Sequence, residues 1–487
     1  MRVLFAVWEL APFFQVGGLG DVARSLPKAL FALGIDIRVI LPFYKALKLQ
    51  GQRRKLVKQI VVKYAGKDEK VNIYKISFVK SKVPVYLLEN DEYLSIPSKE
   101  TFAFFDLAII DTVKNNHLDW IPEIIHCNDH HTGFVPLLVK HNNLKIKTIL
   151  TIHNLQHKGE SDIETVENMD IHPEKCRLLE WEIKRKRVNF LLEGLVHADY
   201  INAVSPTYAK EILTEEYGAG FDEMLREMKD KLYGILNGID YDSRNPESDK
   251  SLIYHYGLKA NLTKENKVYS YLEGKRLNKA FLQDKLGFEV TDKKPLIGFI
   301  GRLDGGQKGL EIIHKMLRRI DLTKFQFVFL GAGEKDWEER FNWLYSFYPK
   351  SIYCSFEFDK RLATQIYAGS DFLIIPSKFE PCGLIQMIAM RYGSVPVARS
   401  TGGLKDSISD NEDGYLFKKY TSYELEKCLM KAVDVWRNNK KKHDLMIERA
   451  MAKDFSWFAS ARKYIDLYQK LINENGNAVD QRHPEQI

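Results

Sequence analysis

Residues 2–43 read RVLFAVWELAPFFQVGGLGDVARSLPKALFALGIDIRVILPF. Residues 2–8 are an almost unbroken apolar run, broken only after Trp8 by Glu9. Residues 21–33 place Leu26, Ala29, Leu30 and Leu33 on one helical face, and residues 35–41 are a second β-rich run. Glycines at positions 17, 18 and 20 separate the first strand from the helix. A strand, a glycine-rich loop, a helix and a second strand form a βα unit, which makes the two strands parallel.

The same alternation continues outward. Strands are expected at 57–63, 71–79, 83–88, 124–127, 148–152 and 200–203, with helices at 102–115, 133–141, 177–197 and 206–213. A second series starts after residue 240, with strands at 296–300, 325–330, 352–355, 371–375 and 395–398 and helices at 309–320, 361–368 and 384–392. Helices at 422–436, 440–452 and 456–473 close the chain. The fold class is α/β, with two Rossmann-like doubly wound sheets. Residues 1–242 are expected to form the first domain and 243–455 the second. A terminal helix at 456–474 and a polar tail at 475–487 follow. The segment 244–278 is polar and weakly periodic.

Composition excludes several function classes. The 487 residues are 45% hydrophobic, 12% aromatic and 28% charged, which rules out global disorder. Lys and Arg number 72 against 65 Asp and Glu, a net charge of +7. That modest excess suits an anionic small substrate, and the basic clusters at 184–187 and 440–443 fit solvated helix faces, so no nucleic-acid partner is expected. Cys127, Cys176, Cys354, Cys382 and Cys428 are scattered with no Cys-x-x-Cys pair, which argues against a disulfide framework or a structural zinc. No apolar run reaches the ~20 residues that span a bilayer, so no membrane partner and a cytoplasmic location are expected.

In parallel sheets ligands sit beyond the carboxyl ends of the strands, so the loops that follow strands carry the chemistry. Gly17-Gly18-Leu19-Gly20 precedes a helix whose N-terminus would offer amide N–H groups to a phosphate or to sugar hydroxyls. His126-Cys127-Asn128-Asp129-His130-His131 is dense in polar groups, but its spacing fits no familiar zinc site. His153 emerges from the next strand. Arg302 and Lys308, in Gly301-Arg302-Leu303-Asp304-Gly305-Gly306-Gln307-Lys308-Gly309, pair a guanidinium fork with an ammonium group, equipment for a diphosphate. This is not a Walker A loop. Glu380 in Phe379-Glu380-Pro381-Cys382-Gly383-Leu384 can accept sugar hydroxyls, Cys382 reads as a packing or contact residue, and Ser400-Thr401-Gly402-Gly403 offers a nest of amides. Residues 17–21 and 402–406 echo each other.

Taken in order, QVGGLGDVARSLPKAL, HCNDHHTGFVP, TIHNLQHKG, VSPTYAKEI, GILNGIDYD, GRLDGGQKG, PSKFEPCGLIQMIAMRYGSVPVARSTGGLKDSI and FSWFASARKY resemble the bacterial glycogen synthase and starch synthase family over residues 1 to about 470. The resemblance implies a GT-B fold, in which two Rossmann-like domains face an interdomain cleft and the last helix crosses back to the first. It implies retaining transfer of glucose from ADP-glucose to the non-reducing end of an α-1,4-glucan, with no cofactor and no metal. Arg302 and Lys308 would bind the diphosphate, Glu380 the donor glucose, and the His153 carbonyl would steady charge at the anomeric carbon. Asp129 and Asn237 would line the sugar site. Gly18, Thr401, Gly402 and Gly403 would supply N–H groups, and Gln15, Gly17, Cys382, Gly383 and Leu384 complete the donor-binding set.

The chain departs from the family pattern in three places. Gln15 stands where Lys is usual, the Arg302-to-Lys308 spacing is one residue longer, and His126-Cys127-Asn128-Asp129-His130 replaces His-x-His-Asp-Trp. The alternatives are another GT-B nucleotide-sugar transferase, or a weakened glucan-binding relative. UDP-glucose is the alternative donor.

Overall fold

The computed structural model describes residues 1–77, 82–171, 180–262 and 267–474. They divide into two compact units. One comprises Met1–Val204, Ala209–Ile235 and the described residues from Trp457. The other comprises Ser205–Tyr208 and Leu236–Ser456.

The first unit is built on a nine-stranded sheet. Its strands are β1 (Arg2–Ala6), β2 (Asp36–Pro42), β3 (Lys55–Tyr64), β4 (Lys67–Ser77), β5 (Pro84–Glu89), β6 (Ile124–Asn128), β7 (Lys147–Ile152), β10 (Tyr200–Ala203) and β11 (Leu232–Gly234); a separate pair is β8 (Glu160–Asp162) with β9 (Arg187–Asn189). The order is β11-β10-β7-β6-β1-β2-β5-β4-β3. All neighbours from β11 to β5 run parallel, with Val3 beside Ile37 on one side and Ile124 on the other. β4 runs antiparallel to both of its neighbours, β3 and β5. Helix α1 (Leu19–Ala32) buries Val22, Leu26, Ala29 and Leu30, as the apolar spacing requires.

The second unit holds a small sheet of β12 (His255–Gly257), β13 (Asn261–Leu262) and β14 (Lys267–Ser270), and a larger six-stranded, all-parallel one. Its strands are β15 (Leu296–Ile300), β16 (Gln326–Leu330), β17 (Ile352–Ser355), β18 (Phe372–Ile375), β19 (Val395–Arg399) and β20 (Tyr415–Phe417), in the order β17-β16-β15-β18-β19-β20. Phe327, Val328, Phe372, Leu373 and Val397 are fully buried, as expected where helices cover both faces.

The last helix, Trp457–Asn473, belongs to the first unit. It packs on α1, and Trp457, Ala461, Tyr464, Leu467, Tyr468 and Leu471 join the core that also holds Val3, Phe5 and Val39. Among the described residues no helix is long and apolar enough to cross a membrane.

Two readings change. The helix expected at 177–197 is, in its described part, Glu180–Arg185, then β9, then Phe190–His197; residues 172–179 lie outside the described residues. Lys186 adopts a left-handed φ of 53°, Val188 pairs with Ser161, and the Asn189 side chain accepts the Leu192 N–H to restart the helix. The weakly periodic segment also ends in a regular helix, Tyr271–Lys285. The expected strand at 71–79 extends past residue 77, beyond which residues 78–81 lie outside the described residues, as does the tail at 475–487.

Candidate active site

In the first unit the carboxyl ends of the neighbouring strands β1, β6 and β7 carry the candidate groups. Asp129 follows β6 with a left-handed φ of 54°, which turns its carboxylate back across the sheet edge. Its Oδ1 accepts the backbone N–H of His153, just past β7, at 2.7 Å, and that of Asn154 at 3.4 Å. Burial pushes the Asp129 carboxyl up to about 7, against the pull of those two amides. The imidazole of His153 lies 3.0 Å, through Nε2, from Asn128 Oδ1. Asn128 Nδ2 donates to the Ala6 carbonyl at 3.0 Å, which fixes the amide so that Oδ1 is an acceptor and His153 Nε2 the donor. Burial holds His153 down at about 3, so its ring is neutral at pH 7. Asp129 and His153 are thus brought together, the carboxylate setting the backbone of the histidine.

The other histidines of this region have structural partners. His126 is 2.6 Å from the Tyr468 hydroxyl through Nδ1 and 2.7 Å from Thr151 Oγ1 through Nε2. His131 stacks on Trp8 with ring centroids 4.3 Å apart. Among the described residues no group of three or more His, Cys, Asp or Glu side chains is arranged to hold a metal ion.

The glycine-rich loop after β1 is arranged differently from expectation. Its Val16, Gly17 and Gly20 amides point inward and donate to the buried Glu9 carboxylate, at 3.0 Å for Gly17 and Gly20. Those three donors are spent within the chain. Gly18 is not among them; it is exposed, and a Cβ added there would meet nothing within 4 Å. Gln15 Nε2 donates to the Gly17 carbonyl at 3.0 Å and to Asp21 Oδ2 at 2.9 Å.

In the second unit Arg302 follows β15, and its side chain is two-thirds exposed. Its Nη2 donates to Gln307 Oε1 at 3.3 Å. The longer loop is absorbed by a turn in which Asp304 Oδ1 accepts the Gly306 and Gln307 amides at 2.9 and 3.1 Å. Gln307 stitches this turn to the loop after β18, accepting the Lys378 N–H at 2.7 Å on its carbonyl and donating Nε2 to the Phe379 carbonyl at 3.3 Å. Gly309 begins the next helix at φ 73°, and a Cβ there would lie 2.2 Å from the Pro376 carbonyl, so only glycine fits.

Lys308 and Glu380 meet. Lys308 Nζ is 2.7 Å from Glu380 Oε2, which also accepts the Ser377 hydroxyl at 2.9 Å, and both side chains are largely buried. Gly402 and Gly403 press on the same loop, where Cβ atoms would come within 2.0 Å of the Glu380 and Cys382 carbonyls. The Gly403 N–H donates to the Glu380 carbonyl at 3.1 Å, and this amide of the expected nest therefore fastens the loop. Thr401 is the N-cap residue before Gly402, and Leu384 that of the helix Ile385–Arg391. Gly383 takes φ 70°. Burial pushes the Cys382 thiol up to about 12, while the Asn237 backbone N–H bonds to it. Asn237 is itself buried, and among the described residues its Oδ1 has no hydrogen-bond partner, an orphaned acceptor of the kind a ligand hydroxyl satisfies. The reading of strand-end motifs missed Glu9, Asn128, Gln307 and Ser377. For Glu9 the available signal was the break of the first apolar run by a carboxylate.

The chain is similar to known proteins over nearly all its length. The starch synthase catalytic domain family matches residues 2–227, and glycosyl transferases group 1 matches residues 294–434. A glycogen synthase of Clostridium beijerinckii is 37% identical, covering 98% of this chain and 100% of that one. The catalytic domain of starch synthase IV from Arabidopsis thaliana, solved with ADP and acarbose, is 31% identical with a TM-score of 0.85, over 97% of this chain and 99% of that chain. The sucrose-phosphate synthase of Thermosynechococcus elongatus, 16% identical with a TM-score of 0.60 over 97% of this chain and 99% of that one, shares the fold.

Proposed function

The chain belongs to the glycogen synthase and starch synthase family and is a glucosyltransferase of GT-B fold, and we propose that it transfers glucose from ADP-glucose to the non-reducing end of an α-1,4-glucan with retention of configuration. The observation that carries this reading is the Lys308–Glu380–Ser377 cluster, beyond the carboxyl ends of β15 and β18 and with Lys308 on the turn that also carries Arg302. A buried ammonium group held by a carboxylate is fixed before any ligand arrives, and fixed charge acts where charge develops. ADP as the nucleotide draws support from the ADP bound in the Arabidopsis relative.

Chemically, the bond from the glucose anomeric carbon to the diphosphate oxygen breaks, which leaves positive charge on the sugar and negative charge on the departing ADP. Arg302 and Lys308 meet the negative charge. Glu380 orients Lys308 and takes sugar hydroxyls. The His153 backbone carbonyl steadies the positive charge, its position set by the Asp129 bond to the His153 amide. The acceptor hydroxyl of the glucan attacks on the face the diphosphate leaves, and its proton passes to the leaving phosphate. No enzyme nucleophile is required, in keeping with a Cys382 thiol that stays protonated. Asn237, Gly18, Gly383 and Thr401 supply further contacts to the donor.

The test is glucose transfer to glycogen from ADP-glucose and, separately, from UDP-glucose. Transfer at least tenfold faster from ADP-glucose is expected. A preference for UDP-glucose would overturn the donor assignment, and glycogen binding without turnover of either donor would favour a glucan-binding relative.

A further inference from the structure

Glu9 is a buried carboxylate for which the transfer reaction has no direct use. It stands three residues after β1, in the middle of an apolar stretch, and is 1% exposed. Among the described residues it meets no cation within ion-pair distance. Its partners are the backbone amides of Val16, Gly17 and Gly20, with Gly17 on Oε2 and Gly20 on Oε1 at 3.0 Å each. Three amides converging on one anion are the arrangement by which a protein holds a phosphate. Here the anion belongs to the chain. The loop closes on itself further through the Ala11 N–H to the Gly20 carbonyl at 3.1 Å. Closing the loop this way leaves Val16 at the surface, 68% exposed, and the edge at Gly18 open.

We propose that Glu9 is a positioning residue, an internal anion that fills the amide nest of the glycine-rich loop. It presets the loop for the nucleotide-sugar and closes the nest to phosphate, leaving Gly18 as the amide that faces the donor. The inference rests on the glucosyltransferase reading for its kinetic consequence, and on geometry alone for the anchoring of the loop.

The experiment compares the wild-type chain with Glu9→Ala and Glu9→Gln. Glu9→Ala is expected to lower kcat/KM for ADP-glucose at least tenfold while KM for glycogen stays within twofold. Formate, which can enter the vacated nest as a replacement carboxylate, is expected to restore activity several-fold, and chloride at equal ionic strength is not. Amide hydrogen exchange over residues 15–21 is expected to quicken in both variants and, in Glu9→Ala, to slow again with formate. Exchange unchanged in Glu9→Gln, a kcat/KM within twofold of wild type, or an equal loss for donor and glycogen with no response to formate would each overturn the proposal. Should Glu9→Ala fail to fold, exchange in Glu9→Gln decides. Should the wild-type chain transfer no glucose, the functional reading fails, while exchange and its response to formate still judge Glu9.

Discussion

Lys308 and Glu380 form a short pair with little access to water, and removing one partner strands the other's charge. Lys308→Ala is therefore expected to lower kcat by about 10²–10³-fold, the cost of losing one fixed group at a developing charge. It should also destabilise the chain by roughly 3 kcal/mol through the unpaired Glu380. Steady-state kinetics and urea denaturation read the two effects separately, and a variant with wild-type kcat would remove Lys308 from the chemistry. Gln15 poses the opposite case. Its amide reaches the Gly17 carbonyl and Asp21, both of which an ammonium group can also satisfy while adding a charge near the donor loop. Gln15→Lys is expected to raise kcat/KM for ADP-glucose by about fivefold, on the order of 1 kcal/mol. An unchanged or lower value would show that the neutral side chain is no handicap.

At the scale of elements, the closing helix is tied to the sheet by polar pairs inside an apolar core. Tyr468 bonds to His126 on β6, and Tyr464 accepts from Asn202 Nδ2 on β10 at 2.9 Å. Tyr468→Phe leaves a buried imidazole nitrogen without its partner and is expected to cost about 1–3 kcal/mol in urea denaturation. Burial holds His126 at about 3 against an unfolded value of 6.5. The stability lent by His126 is therefore complete above about pH 6.5 and drains as pH falls toward about 3, because the unfolded chain takes up the proton first. The stability gap between wild type and His126→Asn should narrow across that window; a gap independent of pH would mean that His126 is not held neutral. The strands around these helices were legible because a strand buried on both faces is a plain apolar run, as in Val3–Ala6 and Phe327–Leu330. The helix Tyr271–Lys285 was not, because its buried face is mostly polar. Lys275 and Lys279 turn inward, and Lys275 donates to the carbonyls of Ala368 and Ser370 at 3.0 and 2.9 Å. Apolar periodicity cannot report a face satisfied by carbonyls some 90 residues away. The break at Lys186 escaped for a similar reason, since it depends on β9 pairing with β8. Among site residues, Arg302, Lys308 and Glu380 were legible from charge on a glycine-rich turn. Glu9 was not, because its partners are backbone amides, which every residue but proline carries.

On the scale of the whole chain, the first unit is completed by a helix that follows the second unit in sequence. Apart from the short excursion at Ser205–Tyr208, the chain leaves that unit after Ile235, builds the second from Leu236 to Ser456, and returns at Trp457. The returning helix is amphipathic by necessity: Trp457, Ala461, Tyr464, Leu467, Tyr468 and Leu471 are buried against a core laid down by Val3, Phe5 and Leu26 more than 400 residues earlier in the chain. Burying four or five large side chains contributes on the order of 10 kcal/mol, at roughly 1.5–3 kcal/mol each. That is as large as the whole net stability of a typical domain, about 5–15 kcal/mol. Ending the chain after Ser456 should thus unfold the first unit, while the second, whose sheet and covering helices all lie within 236–456, keeps its structure. Hydrogen exchange should show β1 and β6 losing protection in the truncated chain and β15 and β18 retaining it, with glucose transfer abolished. Retained protection of β1 and β6 would mean that the first unit is stable without its final helix, and that the return of the chain serves some purpose other than closing this core.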